Sequence, residues 1–521
     1  MRFTSLFRLL TLGLLALLAW CATRWPQPAG AISSSESGRE AQEKVPLWAG
    51  VAKVDITSKT AIPAGDPLFA KALVLKRGTE TVVLISVDAV AIGEIGHIGN
   101  DFMPKLREGL KRDMGLTADR VLVNASHCHG VVGANVNELA LQAVKEAAGA
   151  LVPVRVGAGT GQENRIQENR RLKLKNGREA DVRHAYSLPP DESVAAIGPI
   201  DPEIGILKLE RMDGTVLALV YNFACHPIMG RADGGNTADI SGFASRVIED
   251  SLGNGAVALF LQGCGGDINP VRYKDVSQPR DAEPLGNLLG LSVLRAARNI
   301  RCAEDQRLAM AREVMSLPRA NQTERIQSLE AERDRLLKSL KGTTLDLKTF
   351  LPLAVKYQLD PKYPSYSSHA YMAEKGKGII GLEKLDEANR AAMASYIANI
   401  HTMEELTRVQ TNLALLERHR KAGAAADWKN LEADVMALRV GEFALVTFPG
   451  ELTVEIGINI KKASPIKPAF VAGYTNGYLY YAPTAEQARN PGSAQEDSDC
   501  RLAPSWQKLF EEQALRMLGK I

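Results

Sequence analysis

Apolar positions along this chain come in two textures. Runs such as Leu73–Leu75, Thr81–Val87, Val121–Val123, Val154–Val156, Leu217–Asn222 and Ala256–Leu261 are short, rich in β-branched residues and mostly unbroken by polar ones, which predicts strands covered on both faces. From about 303 to 425 the texture changes. Thr323–Lys341 is rich in Glu, Arg and Leu, and Ile397, Ile400, Met403, Leu406, Val409 and Leu413 recur at threes and fours, the spacing of amphipathic helices; Gly423 is placed to end the second one. A Pro/Tyr-rich stretch, 361–366, divides them, so 303–425 reads as a helical insertion or lid. Strands resume at Val435–Val440 and Ala444–Phe448, and a helix over Trp506–Leu518 closes the chain. The prediction is a mixed α/β (α+β) fold with buried strands: one large catalytic domain, 47–521, carrying the helical insertion.

The N-terminus departs from both textures. Arg2 and Arg8 precede the apolar run Leu9–Trp20, and small residues follow at Ala29-Gly30-Ala31, which predicts a secretory signal over 1–31; the bulky Trp20 argues against lipoprotein processing at Cys21. Residues 32–46 are polar and read as a flexible linker. The expected location is therefore exported, periplasmic or secreted, with an N-terminal membrane anchor as the alternative if the signal is retained. Over 521 residues, 45% hydrophobic and 24% charged composition excludes wholesale disorder and polytopic membrane insertion. The formal charge of +3 is offset by the arginines of the signal, so no nucleic-acid or other polyanionic partner is implied. The six cysteines, at 21, 128, 225, 264, 302 and 500, form no CxxC pair, which excludes a zinc ribbon or thioredoxin motif. Cys128, Cys225 and Cys264 sit in candidate active-site turns and read as small buried packers.

Three strand ends share one design, an apolar strand running into a short turn where a ligand could sit: Val121-Leu-Val-Asn-Ala-Ser-His127-Cys-His129-Gly, Val220-Tyr-Asn-Phe-Ala-Cys-His226-Pro227, and Leu259-Phe-Leu-Gln-Gly-Cys-Gly-Gly266-Asp267-Ile-Asn269-Pro270. Alternation along an extended segment would point His127 and His129 to the same side. Histidines from separate strand ends, with a carboxylate from Phe448-Pro-Gly-Glu451, are the donor types a zinc site needs. Any one of these features alone is ordinarily structural; their joint occurrence on one strand-then-turn plan points to a metal centre. His401 and His419 lie in the charged helical region and are expected to be solvated, while His97, His184 and His369 carry no neighbouring signature. Gly157-Ala-Gly159-Thr-Gly161 lacks the spacing and following helix of a dinucleotide fingerprint, and no GxSxG, HExxH or Walker A sequence occurs.

Taken in order, Ala49-Gly-Val-Ala-Lys-Val-Asp-Ile-Thr57, Ser126-His127-x-His129, Glu168-Asn169-Arg170, Asn222-Phe-Ala-x-His226-Pro227, Gly266-Asp-Ile-Asn269-Pro270 and Pro449-Gly-Glu451 resemble the catalytic domain of the neutral/alkaline, non-lysosomal ceramidases, zinc amidases that cleave the N-acyl bond of ceramide. The resemblance implies Zn2+ held by His127, His226, Glu451 and a tyrosine. Tyr478 is favoured, with Tyr474 and Tyr481 as competitors. It further implies His129 as the proton-transfer group, Arg170 (or its neighbour Arg171) as the cation facing substrate or transition state, and Gly266, Asp267, Asn269 and Tyr481 near the substrate. The implied partner is an N-acylated, lipid-like small molecule, the membrane being met only peripherally through it. Two departures stand out. Asn269 occupies the place of a serine in the family's Gly-Asp-Val-Ser-Pro, and the chain ends at Ile521, too soon after Tyr478 for the usual C-terminal immunoglobulin-like domain. Two other functions are open to these residues: a two-metal ester or phosphoester hydrolase in which Asp88 and Asp267 join the histidines, and a non-catalytic exported lipid-binding homologue.

Overall fold

The computed structural model describes residues 45–521 except 61–65, 182–188, 274, 276, 306, 361–367, 427–428 and 493. The expected signal 1–31, nearly all of the linker 32–46, His184 and the Pro/Tyr-rich stretch lie outside the described residues, as does the side chain of His369.

Eight strands form the main sheet, in the spatial order Val257–Gln262, Val216–Phe223, Glu203–Arg211, Val152–Gln162, Leu47–Asp55, Phe69–Arg77, Glu80–Val87, Val121–Ala125. The outermost pair on each side is parallel and the rest antiparallel. A second sheet orders Leu308–Pro318, Asn430–Val440, Phe443–Thr447 and Ala469–Ala472. Alternation divides each strand between two cores. Leu73, Leu75, Leu84, Leu207, Val220 and Leu259 face Met436, Leu438, Phe443 and Phe470 of the second sheet, whereas Val74, Val83, Ile85 and Val123 face the helices Phe102–Met114 and Val136–Gly149. The other half of the main sheet packs Ile206, Tyr221 and Phe260 against Asp239–Leu252 and Glu283–Ala297. The second sheet buries Val435, Val446 and Val471 under Val454–Ala463 and Trp506–Lys520. The result is a four-layer helix–sheet–sheet–helix stack, in which both sheets are covered on both faces, the condition the continuous apolar runs require.

Gly157, Gly159 and Gly161 belong to the strand Val152–Gln162 itself; a Cβ on each would fall within 3 Å of Ile300 or Ala296 at the end of a packed helix, so close approach explains them.

The stretch expected to be helical opens differently. Leu308–Pro318 is a strand, paired along its length with Asn430–Val440, and its charged residues occupy half-exposed positions of an outer strand. Helices then follow at Thr323–Ser339, Leu347–Leu359, Ser368–Gly376 and Gly381–Ala426. Gly423 does not end the last one but lies inside it, where a side chain would collide with Arg319. Ile326, Leu329 and Leu336 pack on Leu406, Val409, Leu413 and Leu416, closing the pair of long helices with a small core of its own.

Candidate metal centre

Where the strand Val121–Ala125 ends, the backbone does not run on extended. His127 takes a left-handed φ of 68°, a conformation that residues with a side chain hold only when their surroundings enforce it. Ser126 N donates to Val87 O and His127 N to Ala89 O, each at 2.9 Å. This turn corrects the expectation that alternation puts His127 and His129 on one side: His127 is buried, while His129 is exposed. His129 lines a cavity of about 610 Å³ with Asn236, Thr237, Asp239, Tyr273 and Arg280. The two rings nevertheless remain 5.6 Å apart, centroid to centroid.

His127, His226 and Glu451 come together in the buried interior, with ligating atoms all within 4.8 Å of one another. His127 Nδ1 lies 2.6 Å from Val90 O and His226 Nδ1 3.0 Å from Ile268 O. A carbonyl only accepts, so both Nδ1 atoms carry hydrogen and both Nε2 atoms keep a lone pair when the rings are neutral. Those Nε2 atoms stand 3.6 Å and 3.2 Å from Glu451 Oε2. Burial pushes His127 down to about 4, so its ring is neutral at neutral pH. Burial pushes Glu451 up, but the charge that His127 and His226 carry when protonated, with the Tyr478 hydroxyl, outweighs it and holds the carboxyl well below its usual range. Two imidazoles braced by backbone carbonyls and one carboxylate fit a divalent metal ion. Tyrosine hydroxyls complete the surround: Tyr474 donates to Glu451 Oε2 at 3.2 Å and Tyr478 donates to Oε1.

Arg170, 1% exposed, anchors the other wall. Its Nε donates to Glu496 at 2.7 Å, Nη1 to Asn269 Oδ1 at 3.1 Å, and Nη2 to Gly266 O at 2.6 Å and Tyr481 OH at 3.1 Å. Asp267 accepts from Val454 N at 2.8 Å and Asn169 Nδ2 at 3.1 Å. Gly266, Asp267, Asn269 and Tyr481 thus form a buried frame beside Glu451. Arg171 turns away to Glu179 and Asp497, which leaves Arg170 as the arginine of this wall.

No protein-family model matches the chain. Neutral ceramidase of Pseudomonas aeruginosa is 23% identical over 398 residues, 73% of this chain and 54% of that protein. The crystal structure of neutral ceramidase from Pseudomonas aeruginosa superposes with a TM-score of 0.56 at 17% identity, over 92% of this chain and 75% of the other. This chain is similar in sequence and in fold to the neutral ceramidases. A ceramidase complexed with C2 gives a TM-score of 0.57 at 16% identity, over 91% and 75% of the two chains. The chain spans about half the length, 54%, of the curated ceramidase it matches.

The candidate site is held by residues that the strand pattern did not single out. Asn124 Nδ2 donates to Gly473 O at 2.7 Å, Gln262 N donates to Asn124 Oδ1 at 2.9 Å, and Asn476 exchanges bonds with Val123. Asn222 Nδ2 reaches Leu261 O and Val471 O. These buried amides stitch the ends of the two sheets together, so that turns from both meet at Glu451. Their one signal in the sequence is a lone amide closing an apolar strand, as in Val-Leu-Val-Asn124 and Leu-Phe-Leu-Gln262. Cys128, Cys225 and Cys264 are free and buried, and burial pushes their thiols up. His401 is exposed, but His419 is not solvated: it is buried against Asp499 and Tyr480.

Proposed function

We propose that this chain is an exported, zinc-dependent amidase that hydrolyses the N-acyl bond of a lipid-like, ceramide-class substrate. The observation that carries the proposal is the convergence of His127, His226 and Glu451, each from a different strand end, in a chain related to the neutral ceramidases. Nitrogen and carboxylate donors with a tyrosine oxygen suit zinc, and His127, His226, Glu451 and Tyr478 are the residues that would hold it. When bound, a zinc ion supplies a Lewis acid and acidifies water at the site.

The chain's own groups divide the remaining work. His129, at the open side beside the buried ligands, takes the proton from the attacking water and returns it to the leaving amine. Arg170 has given four of its five hydrogens to Glu496, Asn269, Gly266 and Tyr481, which leaves one on Nη1 for the oxyanion that develops on the scissile carbonyl. Asn269 has no hydroxyl to act as a nucleophile and serves as an acceptor that orients Arg170. Direct hydrolysis by water accommodates that change without loss of the reaction.

The two-metal alternative finds little support. Asp88 accepts from Phe69 N at 2.9 Å and Asp267 from Val454 N, and among the described residues the cluster of His127, His226 and Glu451 is the one group of three potential ligands. Metal analysis of the parent protein, His127→Ala and Glu451→Ala, paired with a panel of N-acyl substrates, tests the proposal. One zinc per chain and turnover are expected in the parent, and neither in the variants. Metal-free protein with undiminished turnover would overturn it.

A further inference from the structure

The helical insertion carries a surface that the chemistry at Glu451 does not use. Of the nineteen large hydrophobic side chains exposed among the described residues, twelve fall between Leu337 and Met403, so the exposure is concentrated in the helical insertion. The helix Leu347–Leu359 shows why. Leu347, Leu351, Val355 and Leu359 are 63%, 57%, 52% and 80% exposed. At four-residue spacing they span an arc of about 120°. The inward face is occupied by other groups: Phe350 stacks on Tyr396 with centroids 4.2 Å apart, and Arg390 lies over the Tyr357 ring at 5.1 Å. This helix therefore has two apolar faces, and the outward one has no covering element among the described residues.

Charge says what would cover it. The helix contains Lys348 and Lys356 and no acidic residue. Among the described residues from 341 to 384 the exposed charged side chains are Lys341, Lys348, Lys356, Lys375, Lys377 and Lys384 against Asp346, Asp360 and Glu383, and Asp346 caps Thr349 N at 2.7 Å. An aliphatic stripe flanked by lysines is complementary to a surface that is apolar beneath and anionic at its rim. Among the described residues no helix is long and apolar enough to cross a membrane. We propose that the outward face of Leu347–Leu359 docks on the anionic interface of a phospholipid bilayer.

Docking here is separate from catalysis. Tyr357 meets Arg390 near the start of the long helix Gly381–Ala426, whereas His419 near its end is bonded to Asp499 beside the tyrosine loop. The rise along the intervening helix is about 40 Å. The surface localises the protein at the bilayer without forming the pocket, so vesicle binding and turnover are independent readouts, and loss of the amidase reading would leave this one standing.

The test is co-sedimentation of the full chain with phosphatidylcholine vesicles, with and without phosphatidylserine, for the parent, Leu351→Asp/Val355→Asp and Lys348→Glu/Lys356→Glu. All substituted side chains are exposed, and an unchanged thermal midpoint verifies the fold of each variant. The parent should bind the anionic vesicles more tightly, and each double variant should lose about tenfold or more of that binding. Parent binding that is absent, indifferent to phosphatidylserine or equal to that of the aspartate variant would overturn the proposal. So would a parent dimer in sedimentation velocity that the aspartate substitutions dissociate, because the face would then belong to a second copy of the chain.

Discussion

His419 Nε2 lies 2.7 Å from Asp499 Oδ1, and the same carboxylate oxygen accepts from Arg418 at 2.6 Å while the Asp499 backbone carbonyl accepts from Tyr481 N at 3.1 Å. The long insertion helix is thereby tied to the loop that brings Tyr478 and Tyr481 to Glu451. His419→Ala leaves a buried carboxylate short of one donor and is expected to cost about 1–3 kcal/mol in stability. Because the link positions the tyrosine loop, metal affinity should fall as well. Equilibrium unfolding and metal titration check the two effects separately; a stability loss with unchanged metal affinity would reduce the pair to packing.

Tyr478 and Tyr474 both donate to Glu451, Tyr474 from 3.2 Å and Tyr478 from closer. Tyr478→Phe should therefore weaken metal binding and turnover by about 10–100-fold, the range for removing a group bonded to a ligand, or more if its oxygen itself ligates. Tyr474→Phe should do less. The reverse order in a metal titration would transfer the ligand role to Tyr474.

Gly266 has no room for a side chain. A Cβ there would lie 2.6 Å from Glu451 O and 2.9 Å from Leu452 O, both backbone atoms. Gly266→Ala must displace the strand that carries Glu451, with an expected overpacking cost of about 1–3 kcal/mol and reduced metal occupancy. Wild-type metal content in a stable alanine variant would show that the ligand backbone tolerates the shift.

Asp239 opens the helix Asp239–Leu252 beside the cavity and is raised from 3.8 to about 7, burial outweighing its bonds from Gly230 N and Ile240 N. Between those values the folded chain holds a proton that the unfolded chain releases, so the stability from this group falls as pH rises through the window. The stability of Asp239→Asn relative to the parent should accordingly increase from about pH 4 to about pH 7. Unfolding midpoints across that range check the slope, and a flat difference would contradict it.

How much of this was legible beforehand depends on the range of the interaction. Continuous apolarity marks a strand covered on both faces wherever it occurs, so Glu80–Val87, Val216–Phe223 and Val257–Gln262 could be read within a residue or two. The outer strand Leu308–Pro318 could not, because its half-exposed charges mimic a helix and only its partner Asn430–Val440, more than a hundred residues away, makes it a strand. The short motifs at His127, His226 and Glu451 were visible for a related reason: each is a local turn after a strand, complete within a few residues.

What the local sequence could not decide is how those turns face one another. It carries the donor types, and the tertiary structure aims them: the left-handed turn at His127, which separates it from His129, is enforced by Val87 and Ala89 on a neighbouring strand end. Likewise the isolated letter His419 looks solvated among charged neighbours until Asp499 and Tyr480 arrive from another part of the chain. Periodicity reports which face of an element is buried; what that face meets is set by hydrogen bonds and packing between segments remote in sequence, and at this site those contacts bring His127, His226 and Glu451 together as a candidate metal centre.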